Sequence, residues 1–179
     1  SIREFTEGVV VQIAGEGNDQ VMKVKVPEMK GLIHAILTEL PPEAVPLELA
    51  TQNYYLFGEK RTEIALRLSG QVGIKIGTIR EGLKRLIAAY AGRTFSPDTY
   101  TYSLRLQPVE GHWIIRKLLE KLANEGVNID SINLPVVVEG PLRNGVMTIE
   151  VPQETLRDID LIKLFLSELR EFPGVVAVS

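Results

Sequence analysis

The stretch Glu110 to Asp130, EGHWIIRKLLEKLANEGVNID, decides the fold of this chain. Ile114, Ile115, Leu118, Leu119 and Leu122 follow the i, i+3, i+4 spacing of a helix with one apolar face, while Arg116, Lys117, Glu120 and Lys121 take the other side. The helix is expected over 110–125, with Gly126 as its C-cap and an extended segment from Val127. About 82 residues earlier the same face is written by Leu32, Ile33, Ile36, Leu37 and Leu40, and Val45 and Leu47 stand at that offset from Val127 and Ile129. One residue of slippage places Ile64, Leu66 and Leu68 over Met147, Ile149 and Val151, and Ile79, Leu83 and Leu86 over Ile162, Leu166 and Leu169. Helix, strand, strand and helix recurring in one order imply two copies of one α+β unit.

Gly8 to Ala14 and the alternating Val21 to Val26 read as a hairpin around the turn Gly15 to Asp19. Pro27 stops the ladder, Glu28 to Leu40 is a helix, and Pro41-Pro42 ends it. Val45 to Phe57 and Thr62 to Ser69 are strands joined at Gly58 to Arg61, and the second alternates as a strand with one buried face does. A helix from Thr78 to Tyr90 and the polar stretch Gly92 to Asp98 complete the first half. The second half reads βαββαβ: Thr99 to Gln107, the helix above, Val127 to Glu139, Val146 to Val151 after an Asn144-Gly145 turn, a helix from Asp158 to Phe172, and Val175 to Val178. Right-handed crossovers in that order give an antiparallel four-stranded sheet with both helices on one face, the ferredoxin-like arrangement. The first half follows βαββα, and its N-terminal strand can take the edge held by the closing strand in the second. The expected fold is α+β: two ferredoxin-like repeats, 1–95 and 96–179, each an antiparallel sheet with helices on one face.

With 179 residues and 45% hydrophobic content, the chain can bury a core of ordinary size. Lys and Arg number 20 against 23 Asp and Glu, a net charge of −3, without the basic excess that neutralising phosphates needs. No nucleic acid is expected as a partner. The absence of cysteine removes disulfides, thiol nucleophiles and Cys-ligated metals and suits a cytoplasmic location. No apolar run reaches the roughly 18 residues of a membrane span, so neither membrane association nor a signal peptide is expected.

Trp113 to Asp130 resembles the first helix and second strand of ACT domains, whose helix typically ends in a Gly-Ile-Asn-Ile-like turn; here the turn is Gly126-Val127-Asn128-Ile129. Leu169 to Val178 is similar to the ACT ending, a helix and short loop running into a valine-rich strand. The resemblance covers Tyr100 to Ser179 and reaches Val21 to Gly92 through the repeat. It implies a tandem ACT-like regulatory module that binds a small metabolite such as an amino acid, or a partner protein. ACT domains usually place a glycine at the start of the first helix, where backbone approaches a ligand or a neighbouring subunit. Gly31 holds that place in the first copy; in the second it falls to Trp113, with Gly111 two residues earlier. The first copy departs at the turn, having Ala44-Val45-Pro46-Leu47.

The candidate ligand-binding residues are therefore Gly31, Gly111, His112, Trp113 and Asn128. Gly31 and Gly111 at helix starts leave N–H groups open to an anion, or else relieve packing. Asn128 offers its amide to a ligand or to the local turn. His112 beside Trp113 stacks over a metabolite, or the indole is interface packing. Arg61, Arg67, Arg80 and Arg85 converge on an acidic group, or are solvated. His34 has no companions at metal-ligand spacing, and no catalytic constellation, metal site or cofactor is expected. Two rival functions stand beside regulation. The apolar run Pro135 to Val138 needs covering and favours a homo-oligomer, or a structural assembly protein of the same fold with no ligand. A small enzyme of ferredoxin-like fold would draw on Tyr54, Tyr55, Arg67 or His112.

Overall fold

The computed structural model describes residues 10–14, 20–38, 45–69, 81–82, 84–85, 88–89, 98–137 and 143–179. Where apolar and polar residues alternate, the chain forms strands: β1 (Val10–Ala14), β2 (Gln20–Pro27), β3 (Val45–Leu56), β4 (Glu59–Ser69), β5 (Thr99–Leu106), β6 (Asn128–Leu134), β7 (Gly145–Pro152) and β8 (Val175–Val178). Helices α1 (Leu32–Thr38), α2 (Arg116–Asn124) and α3 (Ile159–Arg170) carry the 3.6-residue period. Helical backbone also occupies the described residues within 81–89. The proposed N-cap Thr78, the turn 15–19, Arg80, Leu40 and the boundary 92–97 lie outside the described residues.

The strands form one antiparallel sheet in the order β1-β2-β4-β3-β6-β7-β5-β8. Its buried face carries Met22, Val24 and Val26 of β2, Ile64 and Leu66 of β4, Leu104 and Leu106 of β5, Ile132 and Leu134 of β6, and Met147, Ile149 and Val151 of β7. These join Leu32, Ile36, Leu118, Leu122, Phe165 and Leu169 from the helices in a single core. The helices are tied side by side over that face. His34 of α1 bonds the Leu119 carbonyl of α2 at 2.9 Å, and Lys121 of α2 pairs with Glu168 of α3 and with Glu125. In α3, Asp158 accepts from the Leu161 N–H as N-cap, with Asp160 in the first turn and Arg170 in the last.

Two expectations need correction. Instead of two four-stranded sheets there is one of eight, because β3 pairs with β6 at Leu49/Leu134 and Ala50/Asn133. Thr51 extends the seam: its hydroxyl bonds both backbone groups of Ile132, and its N–H donates to the Asn133 side chain. β6 is thus an interior strand, and the run invoked for oligomerisation begins only after its last residue, Leu134. Val136 and Val137 follow the strand, half-buried, with Val137 packed on the core; Val138 lies outside the described residues.

The second correction concerns the helix expected over 110–125, which begins only at Arg116. Glu110 and Gly111 both take positive φ (52° and 79°), and Val109 and His112 exchange N–H···O=C bonds across them, the geometry of a type I′ turn. The turn and its bridge keep the chain out of the helix until Arg116; Ile114 is 46% exposed instead of inward, while Ile115 caps the helix and is buried.

Candidate functional site

Pro27 ends β2, and the chain crosses Glu28 and Lys30 before Gly31 turns into α1 with φ of 82°. Gly31 is buried, and its N–H donates to Asn128 Oδ1, 97 residues later, at 2.6 Å. The Asn128 amide nitrogen in turn donates to Glu150 Oε1 at 2.7 Å. Asn128 and Glu150 are cross-strand neighbours on β6 and β7. One amide side chain therefore joins the start of α1 to a carboxylate on a strand of the other half.

Around this link lies a cavity of about 40 Å³, lined among others by Glu28, Lys30, Thr62, Asn128, Asp130 and Glu150. That is room for a few water molecules. Lys30 approaches Glu150 at 3.6 Å and Lys60 pairs with Glu28 at 3.1 Å, so three carboxylates and two ammonium groups surround the opening. Burial, then the negative charges of Glu150 and Glu28, raise the Asp130 pKa against the opposing pull of Lys60 and Lys30. The hydrogen bond to Glu28 raises the pKa of Lys60. Backbone N–H, side-chain amide and mixed charge thus meet at one cleft, with the Gly31 N–H and the Asn128 amide bonded to each other and to Glu150.

Of the five sequence-derived residues, the structure brings Gly31 and Asn128 together and separates the rest. Gly111 is exposed in the type I′ turn, five residues before α2, so it opens no helix to an anion. His112 is exposed beside it. Trp113 is buried in the core; its indole N–H donates to the Pro135 carbonyl at 3.0 Å. Of the four arginines, Arg80 lies outside the described residues. Arg61 is buried, Arg67 reaches Glu48 at 3.8 Å and Arg85 is exposed. Tyr55 is exposed and Tyr54 half-buried on β3. His34 is used between helices: a carbonyl only accepts, so Nε2 carries the proton, and burial lowers the ring's pKa. Among the described residues no cluster of three or more His, Cys, Asp or Glu could hold a metal ion, and no helix is long and apolar enough to cross a membrane.

Sequence reasoning missed Glu28, Lys30, Lys60, Asp130 and Glu150. Asp130 follows the Asn128 motif directly, but only strand pairing places Glu150 beside it, and only the pairing of β2 with β4, Pro27 opposite Arg61, brings Lys60 to Glu28. In comparisons with known proteins, no family model, no curated protein and no solved structure matches the chain.

Proposed function

We propose that this chain is a tandem ACT-like regulatory module whose cleft at Gly31 and Asn128 takes a small zwitterionic metabolite of the amino-acid class. The observation that carries the reading is the 2.6 Å bond from Gly31 to Asn128. It joins the helix-start glycine of one half to the turn asparagine of the other, the two ACT-like features that the halves divide between them. Strand order supports the repeat. The second half runs β8-β5-β7-β6 and the first β1-β2-β4-β3, the ferredoxin-like order with β1 in the closing strand's place. A ligand carboxylate would replace Asn128 Oδ1 on the Gly31 N–H, freeing the amide to bond the ligand. The module would then pass occupancy on as a change in how the two halves are clamped. Thermal denaturation with each standard amino acid at 10 mM tests this. A ligand at 100 times its dissociation constant stabilises by about 2.7 kcal/mol, and a hit should lose roughly fivefold in affinity in Asn128→Ala, for one hydrogen bond of about 1 kcal/mol. No shift with any amino acid would refute the reading.

A second reading, an assembly protein with no ligand, is favoured by two observations. Asn128 already satisfies Gly31 and Glu150, and β1 and β8, at the ends of the sheet, carry no charged residue to discourage pairing with another copy. Sedimentation separates them: a monomer at tens of micromolar removes the assembly reading.

A further inference from the structure

We infer that the module holds one metabolite site per chain, because the counterpart of the Gly31 cleft in the other half is closed by Trp113 and neutralised by a Glu48–Arg67 ion pair. The inference rests on the regulatory-module reading and assigns its stoichiometry and polarity.

Two halves joined through equivalent strands carry a pseudo-two-fold axis, and β3 and β6 pair in that way. Their partners Leu49/Leu134 and Ala50/Asn133, with Thr51 bonded to Ile132, become 49/52, 50/51 and 51/50 when the offset of 82 is subtracted from the second number. Each position of one strand thus faces its near-equivalent in the other. The helices follow suit: His34 bonds the carbonyl of Leu119, which is position 37 in first-half numbering. Such an axis generates two clefts, one built on the start of α1 with β6 and β7, the other on the lead-in to α2 with β3 and β4.

The second cleft can be read position by position. Gly31 becomes Trp113, and the turn amide Asn128 becomes Pro46, which has no side-chain donor or acceptor. Thr62, on the wall of the first cleft, becomes Gly145 at the offset of 83 that fits this region. A Cβ on Gly145 would lie 3.2 Å from the Trp113 ring and 2.6 Å from Leu134, so the indole occupies the space that is open beside Thr62. The charges change as well. Asp130 and Glu150, two carboxylates facing the first cleft, become Glu48 and Arg67, which pair with each other at 3.8 Å. Only the first cleft keeps a side-chain amide and, with Lys30 against Glu150 and Lys60 against Glu28, one carboxylate in excess, Asp130, for an ammonium group. Binding is therefore confined to one side, without cooperativity between halves of the same chain.

Equilibrium dialysis of the intact chain against a ¹⁴C-labelled mixture of the twenty standard amino acids counts the sites directly. The expected plateau is one bound molecule per chain, with at least a fivefold weaker apparent affinity in Asn128→Ala and in the near-isosteric Asn128→Asp. Emission from the buried Trp113 reports whether each variant is folded. A plateau of two overturns this inference and leaves the module reading standing. A plateau of one that neither folded variant weakens places the site elsewhere and overturns it too. No retention by the wild-type chain refutes both.

Discussion

Removing the Asn128 amide tests the link between the halves independently of any ligand. In Asn128→Ala the Gly31 N–H stays buried but loses its acceptor, and the Glu150 carboxylate loses one donor. The two losses differ in weight. A buried donor left unpaired costs about 1–3 kcal/mol, whereas Glu150 is half-buried, keeps Lys30 at 3.6 Å and can turn to water. The expected loss is about 2 kcal/mol, which in a chain of this size lowers the melting temperature by roughly 4–8 °C. Urea titration followed by far-UV circular dichroism measures it, and an unchanged slope would show that the unfolding transition itself is unaltered. Asn133→Ala is the control: that side chain is exposed and accepts a longer, 3.3 Å bond from the Thr51 N–H, so its loss should stay below about 1 kcal/mol. If Asn128→Ala falls within 0.5 kcal/mol of the parent on the order of measurement error, or if the control costs as much, the Gly31–Asn128 bond does not clamp the halves.

Leu118→Ala should cost about 2–5 kcal/mol by emptying a core position under α2, whereas Ile114→Ala should stay within about 0.5 kcal/mol because its side chain faces solvent; equal effects in denaturant would show the helix start to be misassigned. Gly145→Ala drives a methyl to 2.6 Å from Leu134 and 3.2 Å from both the Asn133 carbonyl and the Trp113 ring, an overpacking worth about 1–3 kcal/mol, and a neutral or stabilising result by the same titration would contradict the tight Trp113 packing. His34 has a folded pKa below its unfolded value, so its contribution is complete above about pH 6.5 and is lost as pH falls through the lowered folded value. His34→Gln keeps a donor for the Leu119 carbonyl but does not titrate, and its stability should fall less steeply between about pH 7 and pH 5 than the parent's; superimposable pH profiles would rule out this role.

The strands were legible because a sheet with one buried face writes its period directly: Met147, Ile149 and Val151 are buried, and Val146 is exposed between its neighbours, as alternation requires. The α+β class followed from that, and β1 holds an end of the sheet, where the N-terminal strand was expected. What failed was a boundary and a junction. Helical spacing from Ile114 onward disguised the Glu110-Gly111 turn, whose signature is two positive φ angles in residues that a hydrophobic period ignores. The joining of β3 to β6 left no local mark, because Leu49, Ala50, Asn133 and Leu134 would suit an edge as well as an interior strand. Gly31 and Asn128 were each visible as motif residues, but their meeting depends on that junction. The charged rim from Glu28 to Glu150 needs the β2–β4 and β6–β7 pairings as well, and sequence position alone could not assemble it.

The central claim is that one cleft, made from both halves, is where this chain meets a small molecule. It is tested most directly by titrating ¹⁵N-labelled protein with the amino acid that gives the largest thermal shift, while following the backbone amide of Gly31 and the side-chain amide of Asn128 by NMR. Both resonances should move together and saturate at one ligand per chain, with the Gly111 amide unmoved. Saturable shifts centred on Gly111, His112 or the α3 surface, with Gly31 and Asn128 still, would contradict it.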